Sequence, residues 1–432
     1  MDCPATRDNG KSEKKLSQMA KKTQENFADP LDQLIGRHNA PLIGVAPLMR
    51  RAFAGEDLSP VGQTLLERAQ NYPNDAHAYM DFSTVLQLTG NRDDALAVQA
   101  EAIMLQAHYT IPAKRESGLT LLVLMGPGDL MANTPVEFLV ENSDVTVELL
   151  YLRADEDFPD EVPEHDVMLV AVAESPANQV LLQRLIEYTS EWPRPLINQP
   201  QQICMLSRDG VCAALRGVPG LELPVTVRTG LGALNAVASG AQPIETLLPD
   251  GGFPVIVRPL GSHAGANLQK IDTPAALARY LKEVDGPQFY VSRFVDYRSP
   301  DKLFRTYRVV LIEGQPFICH YAICSHWMTD YQNAGMTESA DKRAEEASAM
   351  DAFDEGFAQR HKTALQAISE RIGLPYLGID CAEMPNGELL IFEVDNAMIV
   401  HAMDPEEIFP YKAPVMQKVF DAFRDLLERS RA

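Results

Sequence analysis

The strongest constraint on this chain is a pair of apolar segments near its C-terminus, joined by a forced turn. Leu377-Gly378-Ile379-Asp380-Cys381-Ala382 reads as one strand, and Leu389-Leu390-Ile391-Phe392-Glu393-Val394-Asp395 as its return. Pro385-Asn386-Gly387 between them supplies hairpin-turn chemistry. Glu393 and Asp395 are two apart and project on one face, which Asp380 can share from the paired strand. Carboxylates gathered among Ile, Leu and Phe repel one another unless a cation sits between them. Magnesium, which takes oxygen ligands together with substrate phosphates, suits such a set. A solvated charged face is the plainer alternative, and the apolar neighbours oppose it.

Two further segments put cations on strands. Val255-Ile256-Val257 ends in Arg258-Pro259 and leads into Gly261-Ser262-His263-Ala264-Gly265, whose glycines permit close backbone approach to a phosphate. Taken alone, this stretch also fits a hairpin with an exposed arginine. Arg305 and Arg308 flank Tyr307 ahead of Val309-Val310-Leu311-Ile312. Three apart on a strand, they face opposite sides. Arg308 begins the apolar run and is expected to face inward, while Arg305 is divided between the same pocket and a surface ion pair.

Length and charge bound the rest. A chain of 432 residues exceeds one ordinary core, so two to four domains are expected. The net charge of −22 speaks against a nucleic-acid or anionic-membrane surface, although local arginines can still hold a nucleotide in a cleft. Six scattered cysteines without a CxxC pair imply reduced thiols. With no apolar signal core and no membrane-length run, a soluble cytoplasmic protein is expected. Residues 1–28 are read as a disordered tail, and residues 29–112 as a helical region. Within that region Ala76 to Leu86, the break Thr89-Gly90-Asn91, and Ala95 to Ala100 resemble one tetratricopeptide-type hairpin, with a generic helical cap as the alternative. From Leu119, strands and helices alternate as in a small parallel α/β unit; from Gly252 to Arg360, strands alternate with turns. Histidines such as His263, His320 and His326 are more often structural than catalytic.

With these residues in view, positions 118 to 425 resemble an ATP-grasp enzyme of the branch that holds glutathione synthetase and the ribosomal-protein glutamate ligase. Four segments carry the resemblance. They are Pro195 to Leu215 with Asn198 and Ser207-Arg208-Asp209, the strand and loop Val255 to Gly265, the hinge Gln288 to Tyr297, and the carboxylates Asp380, Glu393 and Asp395. The resemblance implies an α/β (α+β) architecture: an ATP-grasp fold at 223–432, with two lobes split near 298, preceded by a pre-ATP-grasp domain at 118–222. It also implies an ATP-dependent carboxylate–amine ligase working through an acyl phosphate, with ATP and Mg²⁺ or Mn²⁺. Arg208, Arg258, Gly261, Ser262, His263, Gly265, Phe294, Val295, Asp296 and Arg305 would contact ATP. Arg308 and Arg258 would act on the transferred phosphoryl group, and Asp380, Glu393 and Asp395 would hold metal. Substrate is placed near His326, Trp327 and Asn396. Three positions depart from the family pattern: Arg258 where lysine is usual, Ser292-Arg293 where the hinge usually has glutamate, and Asp395 where asparagine is usual. A degenerate nucleotide-binding scaffold and a kinase on the same fold are the competing expectations. A homodimer, and a protein partner on the N-terminal helices, complete them.

Overall fold

The computed structural model describes residues 35–262, 265–329, 331 and 333–431. The expected tail and His263 lie outside the described residues. The chain divides into two units, Met1–Gln106 and Ala107–Ala432.

In the first unit the described helices are Val45–Phe53, Ser59–Asn71, Ala76–Leu88 and Arg92–Leu105. The last two form the expected hairpin, broken at Gly90, whose φ of +84° suits glycine. Asp75 caps the third helix by accepting from Ala78 N, and also forms a buried pair with Arg68 at 2.7 Å. The two preceding helices pack on the hairpin, giving it the neighbours a single hairpin needs.

The second unit has the expected mixed α/β class and contains three sheets. The first comprises β1 (His108–Ile111), β2 (Leu119–Met125), β3 (Val145–Tyr151), β4 (Val167–Val170) and β5 (Leu196–Ile197), in the order β1-β3-β2-β4-β5. All pair in parallel except β1, which runs antiparallel to β3. The sequence places positions 108–111 in the helical region; they belong instead to this sheet.

After β6 (Leu221–Glu222), a four-stranded antiparallel sheet forms from β7 (Thr226–Gly230), β8 (Val255–Pro259), β9 (Gln269–Ile271) and β10 (Gln288–Arg293), in the order β7-β10-β8-β9. Its apolar face, with Val257, Phe289 and Val291, is covered by Leu234 and Val237 of helix Leu231–Ala238 and by Leu277 and Tyr280 of helix Pro274–Glu283. The third sheet is built from β11 (Phe304–Ile312), β12 (Gln315–Cys324), β13 (Tyr376–Glu383) and β14 (Leu389–Asp395), with β6 added in parallel on β14. The expected carboxylate hairpin is β13–β14.

Three helices, Pro274–Glu283, Ala340–Asp351 and the short Phe357–Arg360, replace part of the strand-and-turn region expected between Gly252 and Arg360. Pro274–Glu283 starts with Thr273 accepting from Ala276 N, and Ala340–Asp351 with Ser339 accepting from Lys342 N. Two buried asparagines staple the first sheet to the third. Asn198 donates to Tyr376 O (2.9 Å) and accepts from Tyr376 N (3.1 Å). The Asn396 side-chain amide donates to Val172 O (3.2 Å), and its backbone carbonyl accepts from Thr134 Oγ1 (2.9 Å). Among the described residues no helix is long and apolar enough to cross a membrane.

Candidate active site

Strand register builds the site as two facing rows. On the third sheet His320 pairs with Arg308, Arg308 with Asp380, and Asp380 with Glu393, so four side chains line up across β12, β11, β13 and β14. Asp395 sits two residues beyond Glu393 on the same face, opposite Gly378. On the four-stranded sheet, Arg228, Tyr290 and Arg258 pair across β7, β10 and β8. Their face is the one opposite the apolar core, and it looks toward the carboxylates.

The charges in this cleft are unevenly satisfied. Arg308 grips Asp380 with two bonds of 2.8 Å and donates to Ile399 O at 3.1 Å. Burial alone would lower the Arg308 pKa, but Asp380 holds it above the ordinary value. Arg208 reaches Glu393 at 2.5 Å and Phe392 O at 3.0 Å. Arg258 differs: it is only 7% exposed and has no carboxylate partner among the described residues. Its guanidinium is held by Ser262, through Oγ at 2.9 Å and through the backbone carbonyl. Burial, followed by the nearby Arg208 charge, pulls its pKa down to about 10. A buried cation without a counter-ion is a ready anion site.

Asp395 is the acidic counterpart. Burial first, and then the Glu393 charge, push its carboxyl up to about 6. Its folded pKa lies above the unfolded value, so its ionisation disfavours the folded state. Asp395→Asn should therefore raise stability by about 1–3 kcal/mol above pH ~6, with the gain shrinking to nothing near pH ~4. Thermal unfolding across that pH range, without added metal, checks it.

The donor chemistry fits a hard divalent ion: three carboxylates on one face beside a buried cation that phosphate oxygens would neutralise. Among the described residues no three acidic, His or Cys side chains close around an ion; Asp380 and Glu393 are instead turned to Arg308 and Arg208.

Several expected residues sit elsewhere. Arg305 is bound to Asp301 and Glu345 at 2.6–3.1 Å, on the face opposite Arg308, and does not reach the cleft. Asn396 is fully buried in its staple rather than facing substrate. Trp327 packs against the cluster of Tyr297, Phe304, Ala382 and Leu390, lies edge-on to Phe294 at 5.8 Å, and accepts from the Tyr297 hydroxyl at its backbone carbonyl (2.6 Å), which places it beside the hinge. His326 is exposed and accepts from Met328 N. Asp296 is exposed and tied to Arg298. Gly261 and Gly265 adopt φ of +76° and +72°, as the loop requires. The hinge presents aromatic surface: Lys270 stands 4.5 Å over Phe294, and Tyr297 lies 5.0 Å from the part-exposed Phe392.

Sequence reasoning missed Arg228, Tyr290, Lys270 and Glu174. The first three lie on the cleft face by strict alternation with Arg258, once the sheet order is known. Glu174 follows the C-terminal end of β4, the end of a parallel strand where ligands bind in open α/β sheets.

No family model and no curated protein matches the chain. Solved structures do. VanG, the D-Ala:D-Ser ligase of Enterococcus faecalis, is 11% identical with a TM-score of 0.45, the match covering 72% of this chain and 100% of that one. A RimK-domain ATP-grasp protein of Sphaerobacter thermophilus is 14% identical with a TM-score of 0.41, covering 70% and 98%. PsnB, an ATP-grasp ligase solved with a minimal precursor, Mg and ADP, is 13% identical with a TM-score of 0.40, covering 72% and 98%. The first and third of these are ligases by name, and the second and third are ATP-grasp proteins by name; the chemistry open to this chain rests on its own side chains.

Proposed function

We propose that the chain is an ATP-dependent carboxylate–amine ligase. The observation that carries this is the opposition of Arg258, a buried guanidinium with no carboxylate partner among the described residues, to the Arg308–Asp380–Glu393 row. The first can hold phosphate oxygens and the second can hold phosphate-bound divalent metal.

In this reading the base and ribose lie at the hinge between Phe294 and Phe392, and the triphosphate runs under the Gly261–Gly265 loop to Arg258. Asp380, Glu393 and Asp395 would hold Mg²⁺ or Mn²⁺, which supplies charge neutralisation on the phosphates. A substrate carboxylate oxygen attacks the γ-phosphorus, and the bond to the β-bridging oxygen breaks with its electron pair leaving on ADP. Arg308 stabilises charge on the transferred group. The amine lone pair then attacks the acyl carbon, and phosphate leaves. The loop excludes water that would hydrolyse the acyl phosphate. No side chain needs to act as a nucleophile; the protein's work is positioning and charge balance.

The test is ADP and phosphate release by the purified protein with ATP, Mg²⁺ and pools of carboxylates and amines. Release that needs both pools is expected. Phosphate retained on an organic product would replace this reading with a kinase, and nucleotide binding without turnover would replace it with a scaffold.

A further inference from the structure

Resting on that ligase reading, we propose that Glu174 receives the amino group of the acceptor, making a cationic primary amine the acceptor class. Glu174 leaves the first sheet just past Ala171 and Ala173, which are pinned to Leu124 O and Ala132 O. Its position is fixed from both sides. Asn396, next to Asp395, donates to Val172 O at 3.2 Å, and a Cβ on Gly261 would stand 3.6 Å from the Pro176 ring. The backbone at Glu174 thereby lies between the residue that follows the carboxylate hairpin and the first glycine of the loop, with the Arg228, Asp395, Asp209 and Arg208 charges around its side chain.

Its charge environment calls for an incoming cation. Arg228, Asp395, Asp209 and Arg208 all act on it, yet it has no hydrogen-bond or ion-pair partner among the described residues. The two arginines are engaged elsewhere: Arg228 with Asp209 at 3.0 Å and the Tyr290 hydroxyl at 3.2 Å, and Arg208 with Glu393. Burial first, and then Asp395 against the opposing pull of Arg228, push the Glu174 carboxyl up to about 7. An ammonium placed here gives Glu174 the charged partner it lacks. A neutral thiol would leave the Glu174 charge unrelieved, and a second carboxylate would be repelled, whereas the donor carboxylate is drawn to Arg308. In the transfer step the ammonium gives one proton to Glu174. The freed lone pair forms the C–N bond, the C–O bond to phosphate breaks with its electrons on oxygen, and the departing phosphate takes the second N–H proton.

Hydroxylamine, neutral near pH ~7, and amino-acid amides, largely cationic there, separate this role from others. The full chain is assayed with ATP, Mg²⁺ and a pool of amino acids as carboxylate donors, with either acceptor. In Glu174→Gln, amide formation should fall about 100-fold in kcat/KM, through a raised acceptor KM and a lowered kcat, while acyl hydroxamate formation and ATP binding stay at wild-type levels. Glu174→Asp should recover part of the loss. A parallel fall of hydroxamate and amide in the folded, ATP-binding variant would move Glu174 to the donor or phosphoryl step and overturn the assignment, as would unchanged amide formation. Wild-type protein that forms no hydroxamate and releases no ADP would sink the ligase reading itself, and this assignment with it.

Discussion

Asp380→Asn and Glu393→Gln should each lower turnover by about 10²–10³-fold, because each removes a charged oxygen donor from the phosphate end of the cleft. Their stabilities should differ, and that contrast ties the loss to this geometry. Asp380 is the only carboxylate paired with Arg308 among the described residues, and both side chains are about one-quarter exposed, at 26% and 23%. Neutralising it leaves a largely buried guanidinium unpaired, costing about 2–4 kcal/mol after allowance for that exposure. Glu393 pairs with Arg208 at the open side of the cleft, with 35% and 24% of the side chains exposed, and losing that pair costs less than about 1 kcal/mol. ADP release and thermal unfolding, measured together, should show two equally inactive proteins of unequal stability. Wild-type rates in both would remove the metal assignment.

Arg258→Ala should weaken ATP binding by about 10²–10³-fold, the effect of losing about two charge-assisted hydrogen bonds. Arg258→Lys should keep part of the affinity, since an ammonium preserves the charge but not the two-pronged grip. The stability effect should run the other way. The Arg258 pKa is depressed to about 10 by burial, so the folded state carries this charge at some expense until an anion arrives. Arg258→Met, of similar length, should match or exceed wild-type stability without nucleotide, and should gain little on adding ATP. Calorimetry and melting with and without ATP test this. Equal affinity across wild type, Lys and Ala would show that Arg258 does not meet phosphate.

The hairpin of β13 and β14 was legible in the sequence because its apolar residues, turn and alternation all point one way. So was the inward choice of Arg308 over Arg305, which follows from a period of two. Other parts depended on pairing between distant segments. Nothing local says that Asn396 would be spent on Val172, 224 positions away, or that Trp327 would settle edge-on against Phe294 beside the hinge. Helices Pro274–Glu283 and Ala340–Asp351 did carry a local signal, their Thr-Pro and Ser caps, hidden by the neighbouring strands. Glu174 has no motif around it. Its meaning comes from three strands ending at one place, which no short window of residues can express.

The asparagine staples join two of the three sheets of the second unit and leave the four-stranded sheet outside that bond. Asn198 and Asn396 rivet the first sheet to the third, and the Asp144–Arg424 pair at 2.6 Å ties the first sheet to the C-terminal helix Lys412–Arg431, so the carboxylate row and Glu174 share one riveted body. The four-stranded sheet hangs from it by short chain crossings and by Arg293, which links to Glu222 on the riveted side and to Asp250 on its own. Under the proposed ligase function, a tilt of this lighter jaw about the Arg293 pin would admit nucleotide and let ADP escape without rebuilding the acidic floor between turnovers.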